Sequence, residues 1–183
     1  VDEVVASASR LPDLGITHRR TTISTVGWLP GLRRFVDQVE QPIRLALSIH
    51  AAESAKRSEL MPVNDRYPLE DVLAECRRYV ELRRRKVFVE YVMLAGVNDS
   101  PGNARALAAV LDDPRAFKVN LIPYNPTGSQ IRGADPYEGS SRETIERFKS
   151  VLLRAGIPAT VRLTRGRDIY AACGQLASER TAA

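Results

Sequence analysis

Residues 43–49, Ile-Arg-Leu-Ala-Leu-Ser-Ile, decide the fold class of this chain. Apart from Arg44 and Ser48 the run is apolar, so it lacks the alternation of a strand with one face in water. A nearly continuous apolar run is typical of a strand that is covered on both faces, as in a parallel sheet. We therefore predict a parallel strand here, with Ser48-Ile49-His50 at its carboxyl end.

Four further strands are predicted from β-branched or apolar runs that end in turn residues. Residues 61–64 are predicted as a turn, and the four strands cover residues 19–25, 87–94, 117–122 and 159–163. Between them, apolar residues recur at helical spacing, and Pro30, Pro68 and Pro101 each stand where a first helical turn begins. Strands and helices in strict alternation predict an α/β fold built on a parallel sheet.

Polar side chains are predicted at the carboxyl ends of these strands, where parallel sheets and barrels bind their ligands. The ends are residues 24–25, 48–50, 95–96 and 124–125, which carry hydroxyls, the His50 imidazole and the Asn125 amide. Such groups hydrogen-bond a polar organic ligand, but their spacing forms neither a catalytic triad nor a carboxylate pair. A purely structural role for His50 stays open at this point.

Length and composition indicate one globular domain, since the 183 residues are 44% hydrophobic and 27% charged. The net charge of +5 comes mostly from arginine, which suits phosphate groups, although a compositional bias explains it equally well. No apolar run is long enough to span a bilayer, so we predict a soluble, cytoplasmic protein. The absence of an initiator methionine suggests a fragment of a longer protein.

The two cysteines differ in their surroundings. Cys76 lies on the apolar face of the helix after Pro68, so we predict a core thiol. Cys173 lies in Ala-Ala-Cys-Gly, near the carboxyl terminus. It is either a buried small hydrophobe or a thiol whose small neighbours let another molecule approach. No metal site can be assembled from the cysteines and histidines by spacing.

Seven blocks of sequence, taken together and in order, resemble the radical-SAM adenine-C2 methyltransferases that act on large-subunit ribosomal RNA and tRNA. The blocks are residues 22–27, 46–51, 60–64, 88–94, 96–99, 119–126 and 168–176. The resemblance implies an incomplete parallel (βα) barrel of the radical-SAM type, of which this chain would hold strands three to six plus a C-terminal extension. Residues 1–163 would belong to the barrel and residues 164–183 to the segment that carries the methyl-carrier cysteine.

The same resemblance implies roles for particular residues. Cys173 would be the methyl carrier, methylated by one S-adenosylmethionine before a second yields a radical that takes hydrogen from the S-methyl group. The carbon radical then adds to C2 of adenine. Contacts to S-adenosylmethionine would come from the strand ends: Ser24, Ser48, Ile49 through its backbone, His50 and Asn125.

Cofactors and partners follow from the resemblance as well. A [4Fe–4S] cluster is implied for the full-length protein, with ligands that this chain lacks, so the chain is expected to be inactive alone. The implied partners are 23S rRNA, tRNA and a reductant such as flavodoxin, with a monomeric enzyme.

Three alternatives stay open. One is the related adenine-C8 methyltransferase, which confers antibiotic resistance and shares the cysteine block. Another is a non-catalytic RNA-binding module, and the third is an unrelated α/β-barrel enzyme with a buried Cys173. Arg167 and Tyr170 depart from the acidic residues usual in the family, at positions that bear on local loop packing and RNA contact.

Overall fold

A computed structural model describes residues 2–125 and 136–163, which form a five-stranded parallel sheet with the order β1-β2-β3-β4-β5. The strands are β1 (Thr22–Thr25), β2 (Arg44–Ser48), β3 (Val87–Met93), β4 (Phe117–Pro123) and β5 (Ala159–Val161). The helices are α1 (Asp2–Arg10), α2 (Leu29–Gln38), α3 (Ser54–Leu60), α4 (Val63–Arg66), α5 (Leu69–Arg83), α6 (Pro101–Val110) and α7 (Arg142–Arg154). The predicted α/β fold with a parallel sheet is confirmed.

Two local predictions need correction. The first strand begins at Thr22 instead of residue 19, because His18–Arg20 form a 3₁₀ turn that the Thr21 amide closes onto the His18 carbonyl. The turn predicted at residues 61–64 runs into the short helix α4, where the Tyr67 amide donates to the Val63 carbonyl.

The two faces of the sheet differ in burial, most clearly in β3. Val87, Val89, Tyr91 and Met93 are fully buried in the core beneath the helices. The residues between them are only partly buried and point to the opposite side, which we call the open face. Strand register places Ser48, Glu90, Asn120 and Thr160 in one row across this open face.

The structure confirms that Cys76 is a core thiol, since the residue is fully buried. Burial, and next the nearby Glu75 charge, raises the pKa of its thiol to about 12. The thiol therefore stays protonated and packs as a small apolar group.

Two predicted features lie outside the described residues: Cys173 and the segment 164–183 that carries it. Within the part of the chain that the structure describes, no helix is long and apolar enough to cross a membrane.

Candidate functional site

The carboxyl end of β2 turns sharply at His50. The Ile49 amide still donates to the Glu90 carbonyl of β3 at 3.1 Å, and the Ala51 amide then donates back to the Ile49 carbonyl at 2.7 Å. This reversal puts His50 at a φ of 57°, in the left-handed region that non-glycine residues seldom occupy. Such strain persists only where surrounding contacts enforce it, and it is common at functional sites.

The His50 ring is fixed in one protonation state. Its Nδ1 accepts a hydrogen bond from the Val92 backbone N–H at 3.1 Å, so the neutral ring carries its proton on Nε2. Burial, and next the Arg57 charge, lowers the ring's pKa to about 4. His50 therefore presents a neutral N–H donor near pH 7 instead of a general acid or base.

Asn98 holds the ends of β2 and β3 together. Its Nδ2 donates to the His50 and Val92 carbonyls, both at 2.8 Å, and its Oδ1 accepts from the Leu94 amide at 2.8 Å. The Tyr91 hydroxyl donates to the Asn98 carbonyl at 2.7 Å. Because Asn98 is fully buried, these bonds satisfy backbone groups that water cannot reach. Asn98 is therefore a positioning residue that stabilises the strained His50 turn.

Arg57 of α3 fixes the loop that follows β1. It is fully buried, and its guanidinium donates to the Val26 carbonyl at 3.0 Å and to the Asn64 side chain at 2.7 Å. Gly27, which follows Val26 in this loop, has a φ of 96°, and a Cβ there would lie 3.2 Å from the Val72 side chain. The loop thus requires glycine both for its backbone and for its closeness to α5.

The open face carries a polar pair that the sequence analysis did not identify. The Asn120 Nδ2 donates to the Glu90 Oε2 at 2.9 Å, and the two residues are register partners on β3 and β4. Ser48 is the register partner of Glu90 on the other side. The signal in the sequence was a lone acidic residue inside an otherwise apolar strand, but only the register shows which residues it faces.

The predicted contacts to S-adenosylmethionine all lie at the carboxyl edge of the sheet or one step below it. Ser48 and His50 share the end of β2, and Asn125, only 7% exposed, follows the end of β4. Ser24 lies on the edge strand β1 opposite Ala46, one step below Ser48 on the open face. The amide and the carbonyl of Ile49 are both hydrogen-bonded within the protein. The Ile49 carbonyl has a second lone pair, which can accept a hydrogen bond from a ligand.

This set of donors and acceptors fits a polar organic cofactor better than a metal. Hydroxyls, an amide and a neutral imidazole can bind the ribose, carboxylate and amino groups of S-adenosylmethionine. Among the described residues no cluster of three or more His, Cys, Asp or Glu side chains could hold a metal ion. The only cysteine among them, Cys76, is buried and protonated. The described residues therefore do not fit an iron–sulfur cluster.

Curated relatives match nearly the whole chain. The probable dual-specificity RNA methyltransferase RlmN of Moorella thermoacetica is 46% identical over 163 residues, which are 88% of this chain and 44% of that protein. The dual-specificity RNA methyltransferase RlmN of Xanthobacter autotrophicus is 45% identical over 98% of this chain and 42% of its own length. That of Desulfotalea psychrophila is 41% identical over 99% of this chain and 49% of its own length. The chain thus spans less than half of these relatives, and no protein-family model matches it.

Solved structures agree on the fold. A radical SAM methyltransferase from Sphaerobacter thermophilus superimposes with a TM-score of 0.81 at 46% identity, covering 88% of this chain and 46% of that one. A domain of pyruvate-formate lyase-activating enzyme from Bacteroides vulgatus gives a TM-score of 0.65 at 18% identity, which shows the fold alone. It covers 88% of this chain and 91% of that domain. Together they confirm the expected fold class, a partial parallel barrel of the radical SAM type.

Proposed function

We propose that this chain, which is homologous over 88–99% of its length to the RlmN-type radical SAM RNA methyltransferases, is part of an enzyme that methylates C2 of adenine in 23S rRNA and tRNA. The proposal rests on the sequence identity of 41–48% between this chain and relatives that are named dual-specificity RNA methyltransferase RlmN.

The strand ends supply the residues for the cofactor in this proposal. Ser24, Ser48, His50, Asn125 and the Ile49 carbonyl bind S-adenosylmethionine, which supplies the methyl group. Asn98 and Arg57 contribute by fixing the turns on which these groups lie. The His50 Nε2–H donates a hydrogen bond to the cofactor. The ring does not act as a general acid, because it is neutral and has a low pKa.

Cys173, which lies outside the described residues, is the proposed methyl carrier. Its neighbours Ala172 and Gly174 leave room for the cofactor and for a base that has been flipped out of its RNA stack. In this proposal, the segment 164–183 carries the thiol that S-adenosylmethionine methylates.

Further parts of the proposal concern the complete enzyme. A [4Fe–4S] cluster, which the described residues do not fit, would be held by polypeptide outside this chain. A reductant such as flavodoxin, a monomeric state and a cytoplasmic location belong to the same proposal.

The test is nucleoside mass spectrometry of RNA treated with the full-length protein and its Cys173→Ala variant. We expect 2-methyladenosine from the wild type and at least a hundredfold less from Cys173→Ala, a loss of the size expected when an essential nucleophile is removed. Cys76→Ala is the matched control, because it removes the buried thiol and should leave product formation within about threefold of wild type. Undiminished product from Cys173→Ala would exclude the carrier role of Cys173. Detection of 8-methyladenosine in place of 2-methyladenosine would show that the enzyme methylates C8 of adenine.

A further inference from the structure

Glu90 is the only acidic residue in the five strands that the structure describes. It lies on the open face of the central strand β3, between the fully buried Val89 and Tyr91, which point into the core. Its carboxylate is therefore directed toward the concave side of the partial barrel, where the proposed cofactor contacts also lie.

The carboxylate is held in place but is not neutralised. Asn120 donates to Oε2 at 2.9 Å, which fixes the side chain from the neighbouring strand. Among the described residues, none of the ion pairs involves Glu90. The carboxylate thus has a neutral hydrogen-bond partner and no ion-pair partner among the described residues, so its charge is available to a ligand that carries a positive charge.

Two of the residues assigned to the cofactor are neighbours of Glu90. Ser48 is its register partner on β2, and the Ile49 amide donates to the Glu90 carbonyl at 3.1 Å. The other proposed contacts are hydroxyls, an amide and a neutral imidazole, so none of them carries a negative charge. S-adenosylmethionine carries a sulfonium cation, and its demethylated product S-adenosylhomocysteine has a neutral sulfur instead.

We propose that Glu90, positioned by Asn120, pairs with the sulfonium charge of S-adenosylmethionine and selects it over the neutral thioether. The inference rests on the proposed function, since it takes S-adenosylmethionine as the ligand of this edge. It adds a specificity-determining residue that acts through charge, while the strand-end groups act through hydrogen bonds. A positioned carboxylate discriminates between two ligands that differ by one charge because its attraction is much stronger away from bulk water.

The test measures the affinity of both ligands for the full-length protein by isothermal titration calorimetry. We expect Glu90→Gln, which keeps the shape and removes the charge, to weaken S-adenosylmethionine binding by about ten- to hundredfold. S-adenosylhomocysteine binding should change by less than about threefold. Glu90→Asp keeps the charge and should retain a preference for the sulfonium, and Glu81→Gln, on the exposed side of α5, is the matched control.

Each remaining outcome decides the question. Equal loss of both ligands would overturn the sulfonium pairing, and unchanged binding of both would make Glu90 purely structural. Circular dichroism of each variant separates lost binding from lost folding, and Asn120→Ser offers a second route, since it leaves the charge but removes its anchor. If Glu90→Gln behaves as expected while the wild type forms no methyladenosine, the proposed function fails and this inference stands. If the wild type methylates RNA and the Glu90→Gln variant binds both ligands as tightly as the wild type does, the proposed function stands and this inference fails.

Discussion

At the scale of single residues, His50 makes the stability of the protein depend on pH. Burial and the Arg57 charge lower its pKa to about 4 in the folded state, whereas an exposed histidine titrates near 6.5. The unfolded chain therefore takes up the proton first as the pH falls. The stabilisation from the neutral ring is complete above pH 6.5 and is lost as the pH falls toward 4.

The expected loss from this residue is about 3 kcal/mol of unfolding free energy between pH 7 and pH 4. Urea unfolding across this range measures it as the difference between wild type and His50→Gln, because carboxylates titrate in both proteins alike. His18→Gln removes the only other histidine and is the matched control. A pH dependence that is identical in wild type and His50→Gln would show that folding does not lower the pKa of the ring.

Residues also show how far the sequence can predict the site. Ser48 and His50 were predicted because a strand end is visible as the end of an apolar run. Asn98 was not, since its role depends on three backbone groups that come together only when β2 and β3 align. Arg57 was missed for a similar reason: a cation on a short helix is normally exposed, and only the loop at Val26 explains its burial.

At the scale of elements, the end of α5 combines strain with like charge. Arg84 terminates the helix at a φ of 53°, where its amide donates to the Val80 carbonyl at 2.8 Å. A concavity of about 450 Å³ at the amino ends of the strands is lined by five basic residues: Arg44, Arg83, Arg84, Arg85 and Lys86. Arg83 and Lys86 donate to the Val36 and Pro114 carbonyls, so part of this cluster anchors the end of α5 to neighbouring segments.

We expect Arg84→Gly to stabilise the protein by about 1 kcal/mol, because glycine adopts the left-handed conformation without steric cost. The substitution also removes one of five clustered positive charges. Urea unfolding measures the change, and Arg85→Gly is the matched control, since it removes a neighbouring arginine from a residue that lacks a positive φ. A loss of stability in Arg84→Gly equal to that in Arg85→Gly would show that the left-handed conformation costs nothing here.

The elements also mark the limit of prediction for the fold. Apolar periodicity predicted the five strands and the long helices, because burial imposes that periodicity directly on the sequence. The 3₁₀ turn at His18–Arg20 and the short helix α4 escaped it, since each is too short for a period. They are fixed by two or three local backbone hydrogen bonds each, which leave little pattern in the sequence.

At the scale of the whole molecule, the β1 edge of the sheet pairs with no other strand of the described residues and is flanked by apolar surface. A cavity of about 250 Å³ lies beside β1, with Val4, Ile23, Trp28 and Phe35 in its walls. Val26 and Trp28 nearby are 49% and 48% exposed, although both are large apolar residues. An unpaired strand edge that is flanked by apolar surface invites association. The curated relatives are more than twice as long as the stretch they share with this chain, and in a protein of that length the additional polypeptide is the expected partner of this edge.

The 183-residue chain, expressed alone, should therefore self-associate through the β1 edge, and Val26→Asp should shift it toward the monomer. Light scattering after size exclusion measures the mass, and the emission of Trp28, the only tryptophan, should shift to the blue on association as its ring leaves water. Leu82→Asp is the matched control, because Leu82 is 51% exposed on α5, so the same charge enters at similar exposure on another surface. If both variants associate as the wild type does, the β1 edge is not the contact. If the wild type is a monomer, apolar exposure at this edge is not enough for association.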